Sequence, residues 1–146
     1  ITAAGTGVLE LSGTNTTTDG FNLAGGTVRL GSASNPLGSG NILSQSAGTT
    51  LDLNGYSTSV RGLSGSGLIT SGRSGDITLT VSSNRSADLF DYAGTIADGA
   101  SVVSLVKTGA STLTLSGANS FSGPLVINGG RIVQGHQSAL GLGQIN

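Results

Sequence analysis

The acidic side chains are the residues of this sequence whose chemistry could support a reaction. Carbohydrate-cleaving enzymes use carboxylates as paired acid–base groups or as Ca²⁺ ligands. Among the seven acids, Asp88 and Asp91 form the one local cluster, and Arg85 and Tyr92 lie beside them in sequence. We take Asp88 and Asp91 as weak candidates for an ion or ligand site, with a solvated loop as the favoured interpretation. We expect no resident metal or other cofactor.

Other motifs of catalytic sites are missing from the sequence. His136 is the one histidine, and it lies in a Gly- and Gln-rich segment with no recognisable Ser-His-Asp arrangement. The Gly-rich runs at 62–67 and 123–130 lack the Gly-Lys-Ser/Thr that ends a phosphate-binding loop. The chain has no cysteine, so that disulfides and thiolate metal sites are excluded. The sequence therefore predicts a protein that is not an enzyme.

Charge and hydropathy exclude two further classes of partner. The formal net charge is −1, and the six basic residues are scattered singly, which gives no electrostatic attraction for nucleic acid. Apolar runs are only a few residues long, far shorter than a membrane span. The chain begins at Ile1 without the features of a signal peptide, and we expect it to be cut from a longer protein.

An internal repeat is the firmest feature of the sequence. The segment from Gly5 matches the segment from Gly109 at an offset of 104 residues, without a gap as far as Ser34 and Ser138. The shared residues are chiefly leucines and glycines, with one asparagine: Leu9, Leu11, Gly13, Asn15, Gly25, Gly26 and Gly31 match Leu113, Leu115, Gly117, Asn119, Gly129, Gly130 and Gly135. The two copies extend over about 5–43 and 109–146.

Both copies and the segment between them show the pattern of short β-strands. Apolar residues alternate with polar ones over three to six positions, and each run is closed by Gly, Asn, Asp or Ser. The sequence predicts about a dozen strands, including 8–11, 21–23, 27–30, 50–53, 59–61, 67–70, 76–81, 92–96, 102–106, 112–115 and 125–127.

Short strands at this spacing fit a sandwich or barrel as well as a solenoid. The shortness of the strands, the aromatic content of 3% and the long repeat favour the solenoid, in which we expect like segments to stack on like. We predict an all-β, right-handed parallel β-helix: one domain over 1–146, with roughly six rungs of about 20–25 residues. Its ends lack capping features, which indicates an excised segment or a unit that stacks end to end.

Residues 105–119 closely resemble the autotransporter-associated β-strand repeat. The resemblance continues through Phe121, Gly123 and Asn128-Gly129-Gly130, and the segments 51–56 and 62–67 resemble the sequence that often separates such repeats. The first copy departs from the pattern, with Thr17 in the place of the aromatic residue and Ala24 in the place of the Asn before Gly25.

The resemblance implies a secreted passenger β-helix at the surface of a Gram-negative bacterium, with structural or adhesive function. Contact with the outer membrane would come only through a C-terminal translocator that is absent from this sequence. Implied partners are host-surface or matrix glycans and proteins. A fibre subunit whose like chains stack end to end is the first alternative, and a carbohydrate-active β-helix enzyme is the second.

Overall fold

The computed structural model describes residues 1–146, which form sixteen β-strands and no helix. No helix long and apolar enough to span a membrane is therefore present. The strands are β1 Thr2–Ala3, β2 Val8–Leu11, β3 Phe21–Leu23, β4 Thr27–Leu30, β5 Ile42–Gln45, β6 Thr50–Asp52, β7 Thr58–Val60, β8 Gly62–Gly65, β9 Leu68–Thr70, β10 Ile77–Ser82, β11 Leu89–Tyr92, β12 Thr95–Ile96, β13 Val103–Thr108, β14 Thr112–Leu115, β15 Leu125–Ile127 and β16 Arg131–Gln134.

The strands are arranged in three parallel sheets that the chain visits in turn. Sheet 1 has the order β1-β3-β5-β8-β11-β14-β16, sheet 2 the order β2-β4-β6-β9-β12, and sheet 3 the order β7-β10-β13-β15. Every pairing between strands is parallel. Each strand therefore pairs with the strand of the next coil, as in a solenoid with three faces.

One coil of the solenoid takes about twenty residues, within the range typical of solenoid repeats. This period is seen directly in sheet 1, where Thr2 pairs with Asn22 at one end and Thr112 pairs with Arg131 at the other. The widest coil runs from Gly65 to its partner Tyr92, because it includes the loops on both sides of β10. The predicted all-β parallel solenoid of about six turns is confirmed.

The core is a set of inward columns that run along the solenoid axis. In sheet 2, for example, Val28, Leu51, Ile69 and Ile96 occupy the same register position on four successive coils, and all four are fully buried. Outward residues alternate with them and are partly exposed, as along β10, where every second residue is buried. Truncation of one buried Leu or Ile to Ala costs about 2–5 kcal/mol, so each column contributes strongly to stability.

The two sequence copies do not stack on each other, contrary to the expectation that like segments stack on like. Strand β2 of the first copy lies in sheet 2, whereas the equivalent strand β14 of the second copy lies in sheet 1. Strands β3 and β15 likewise lie in sheets 1 and 3. The offset between the copies is not a whole number of coils. From β2 the chain completes four coils to reach β12 in the same sheet, and it then passes through β13 in sheet 3 before β14 in sheet 1.

Strand boundaries differ from the predicted ones where glycine or a corner intervenes. The Gly-rich segment 62–65, for which the sequence predicts no strand, forms β8 because β5 on the preceding coil supplies a full row of backbone partners. The single strand predicted over 92–96 is two strands, β11 and β12, separated by a corner at Ala93 and Gly94. At Gly94 an added Cβ would overlap the carbonyl oxygen of Gly67, so that this corner requires glycine.

Substitution of Gly62 by Ala should destabilise the solenoid through overpacking. A Cβ at Gly62 would overlap the Phe90 ring, which is buried against this glycine from the following coil. We expect the free energy of unfolding to fall by about 1–3 kcal/mol. Urea unfolding followed by circular dichroism measures the loss.

The matched control for this substitution is Gly7→Ala. At Gly7 an added Cβ would have no atom within 4 Å, and the backbone does not have positive φ. We expect a change below about 0.5 kcal/mol. Equal losses for the two variants would contradict the packing assigned to Gly62.

Candidate functional site on the outer faces and corners

The structure separates the acidic cluster predicted from sequence. The Asp88 carboxylate accepts a hydrogen bond from the Ser83 hydroxyl at 2.7 Å and lies 3.9 Å from Nε of Arg61. Asp91 instead accepts a hydrogen bond from the Ser116 hydroxyl at 2.6 Å, on the following coil. Arg85 is exposed. No group of three or more acidic or histidine residues lies close enough together to hold a metal ion, and ion binding by Asp88 or Asp91 stays a prediction.

Tyr92, the remaining neighbour in that cluster, faces the interior and not the acidic loop. Its hydroxyl lies 2.7 Å from the carbonyl oxygen of Gly67 and 3.0 Å from Oε1 of Gln45, and burial raises its pKa well above the ordinary range. Gln45, Gly65 and Tyr92 share one register position on three successive coils. Since Gly65 has no side chain, Gln45 and Tyr92 meet across it and link non-adjacent coils.

His136 lies in the turn that follows β16. Its Nδ1 accepts a hydrogen bond from the backbone N–H of Ser138 at 3.1 Å, and its carbonyl oxygen accepts one from the side-chain amide of Gln134 at 3.1 Å. Both hydrogen bonds are local to the loop. The imidazole thus closes a turn of the last coil.

Other charged residues, which the sequence analysis did not single out, are built into the coils. Glu10, Arg29 and Asp52 stand in register on three successive coils of sheet 2. Nε of Arg29 donates to Oδ2 of Asp52 at 3.0 Å, and Oδ1 of Asp52 accepts from the backbone N–H groups of Asn54 and Gly72. The recurrence of these charges at the coil period is the signal that could have identified the ladder.

Asp98 and Lys107 hold corners in the same way. Burial raises the pKa of Asp98, but hydrogen bonds from the Ser122 hydroxyl and from the backbone N–H groups of Val103 and Ser122 outweigh burial and lower it below its ordinary value. Nζ of Lys107 is buried and donates to the carbonyl oxygen of Thr108 at 2.7 Å, and burial lowers its pKa. Both charged groups bind backbone atoms of a corner.

An asparagine at the same position of each copy connects successive coils. Nδ2 of Asn15 donates to the carbonyl oxygen of Pro36 at 2.5 Å, and Nδ2 of Asn119 donates to that of Ala139 at 2.6 Å. Oδ1 of Asn119 also accepts the backbone N–H of Ile96 at 2.7 Å, on the preceding coil. The repeated Asn in the sequence is therefore a cross-coil link at a corner of the solenoid.

The outer face of sheet 1 carries a column of small polar side chains. The column is in register along the axis, and two of its members, Ser44 and Ser64, are hydrogen-bonded through their hydroxyl oxygens at 3.0 Å. The members are Thr2, Asn22, Ser44, Ser64, Asp91 and Thr114. This face presents hydrogen-bonding groups at the spacing of the strands, about 4.8 Å.

Comparison with known proteins gives a family for the two sequence copies. The Passenger-associated-transport-repeat family matches residues 1–30 and 105–133. These two segments begin at the same offset that relates the internal copies. The adhesin BmaC autotransporter of Brucella suis biovar 1 (strain 1330) is 42% identical over 129 residues, which is 86% of this chain. The chain carries autotransporter passenger repeats.

The chain spans 4% of the length of that Brucella suis relative, so that the match describes a small part of it. No solved structure matches the chain. Within the passenger repeats of this chain, the residues shared by the two copies are chiefly inward leucines, glycines and the corner asparagine, with two serines at exposed or partly exposed positions. Most residues shared by the two copies are therefore those that the coil needs in order to form, and few belong to the outer surface.

Substitution of Asn119 by Ala should remove both links at that corner. The buried N–H of Ile96 and the carbonyl oxygen of Ala139 would lose their side-chain partner, at about 1–3 kcal/mol for an unsatisfied buried group. We expect a fall of about 3 kcal/mol in the free energy of unfolding, measured by urea denaturation. Asn15→Ala should cost less, because Asn15 makes one such bond.

The exposed Asn128, on the corner before Gly129, provides the control for Asn119. Asn128→Ala should change the free energy of unfolding by less than about 0.5 kcal/mol. A loss as large at Asn128 as at Asn119 would show that the assigned cross-coil bonds are not what stabilises this corner.

Proposed function

We propose that this chain is a structural segment of an adhesive bacterial surface passenger and that it performs no catalysis. The observation that carries the proposal is the distribution of identity between the two copies. Outward strand positions differ at every equivalent pair, for example Glu10 with Thr114 and Arg29 with Val133, whereas five of the six inward strand positions are apolar in both copies, as at Leu11 and Leu115. A scaffold whose exterior can vary independently of its core suits display of a surface.

The chemistry of the exterior supports contact with polar partners. Outward Ser, Thr and Asn side chains offer both donors and acceptors, and the net charge of −1 gives no strong preference for charged partners. We propose host-surface or matrix glycans and proteins as these partners, bound through many weak hydrogen bonds. The name of the Brucella suis relative, an autotransporter adhesin, agrees with this proposal.

Surface display tests the proposed location and role together. The chain is fused ahead of an autotransporter translocator and produced in a Gram-negative host that does not adhere by itself. We expect the segment to become accessible to added protease on intact cells and adherence to immobilised matrix to rise several-fold. Cells that carry the translocator alone provide the baseline.

A variant with Leu113→Asp provides the folding control, since it places a charge in the fully buried core. We expect this variant to lose the adherence. The outcome that would overturn the non-enzymatic part of the proposal is cleavage of a polysaccharide panel by the purified chain that Asp88→Ala or Asp91→Ala abolishes.

A further inference from the structure

Each passenger repeat closes one turn of the solenoid by itself. In the first copy Val8 pairs with Thr27, and in the second Thr112 pairs with Arg131. The two residues of a pair are separated by the same number of positions in both copies, and the two pairs occupy equivalent positions of the copies. The first and third strands of each copy therefore stack in register. The repeat thus contains a strand, a loop, a second strand, a Gly-Gly corner and the strand that completes the coil.

The same closing contacts occur in both copies although the copies lie on different faces. The first and third strands both belong to sheet 2 in the first copy and to sheet 1 in the second. At the Gly-Gly corner, a Cβ at Gly26 would overlap the carbonyl oxygen of Gly7, and one at Gly130 would overlap that of Ser111. Both glycines have positive φ, 66° and 71°. The corner requires glycine for the same reason on either face.

The inward contacts of the closing strands are likewise internal to the repeat. Leu9 stands in register with Val28 in the first copy, and at the equivalent positions Leu113 stands in register with Ile132 in the second. Both residues of each pair belong to the same copy of the repeat, although the closing strands lie in sheet 2 in one copy and in sheet 1 in the other. The repeat therefore brings its own register, its own corner and its own core pair.

We propose that the repeat is a portable turn-closing module, which completes one coil on whichever of the three faces it begins. A consequence concerns the surface of a passenger. The number of residues between copies sets the direction in which each copy displays its outward side chains. At the spacing found in this chain, the outward positions of Glu10 and Thr114 lie on adjacent faces of the solenoid.

Duplication of one coil tests the proposal in the full chain. Residues 112–130 are repeated directly after Gly130 in one variant, and residues 8–26 are repeated directly after Gly26 in another. The two inserts are equal in length and begin on different sheets. We expect both variants to unfold cooperatively, with a urea midpoint equal to or above that of the parent, and to be longer by about 4.8 Å in small-angle X-ray scattering.

The matched controls carry the residues of each insert in shuffled order at the same two places. The shuffled inserts should form loops, which add no length along the axis and whose backbone amides exchange rapidly with solvent, whereas the duplicated inserts should be protected. Two results would overturn the proposal. One is equal behaviour of duplicated and shuffled inserts, and the other is tolerance of the duplication in only one copy, which would tie the repeat to a particular face.

Discussion

The parallel ladder between successive coils is the constraint on which the rest of this structure depends. Each strand is too short to be stable alone, and it becomes ordered because the equivalent strand of the next coil supplies its backbone partners. This periodic pairing puts inward side chains in columns, such as Val28, Leu51 and Ile69. The residue types that fit at these inward positions are therefore restricted. It also explains why departures from the period, as in the wide coil between Gly65 and Tyr92, are confined to loops.

The corners impose a second requirement, which accounts for many of the polar residues. A chain that changes direction three times in each coil needs positive φ, and the residues with positive φ are glycines together with Asn35 and Asn54. Corner backbone groups need hydrogen-bond partners, and side chains such as Asn119, Asp98 and Lys107 supply them. Much of the polar chemistry of this chain thus serves the fold, while the outer strand positions are left free to vary.

The sequence predicted the solenoid because alternation and corner residues are local signals. Strands β2, β3, β4, β14 and β15 have the predicted bounds, since each contains a clear alternation closed by a turn residue. It did not predict β8, because two of its four residues are glycines and the strand is specified by its neighbours. The sequence also shows the repeat. The sheets on which its two copies lie, however, depend on the summed lengths of all the loops between them, which no local pattern encodes.

The candidate site was less predictable, for the same physical reason. Proximity in sequence placed Tyr92 with Asp91, whereas the alternation of a strand puts neighbouring residues on opposite faces. The interactions that matter join residues of successive coils, as between Arg29 and Asp52 or between Asn119 and Ala139. A search at the coil period, rather than among neighbours, would have identified them.

The most direct test of the account is a substitution scan of stability over residues 8–31 and 112–135, with each residue replaced in turn and the free energy of unfolding measured. We expect large losses at the inward and corner positions common to both copies, such as Leu115, Asn119 and Gly130, whereas outward strand positions such as Thr114 and Val133 should tolerate replacement. Losses at the outward positions as large as those at the inward ones would contradict it.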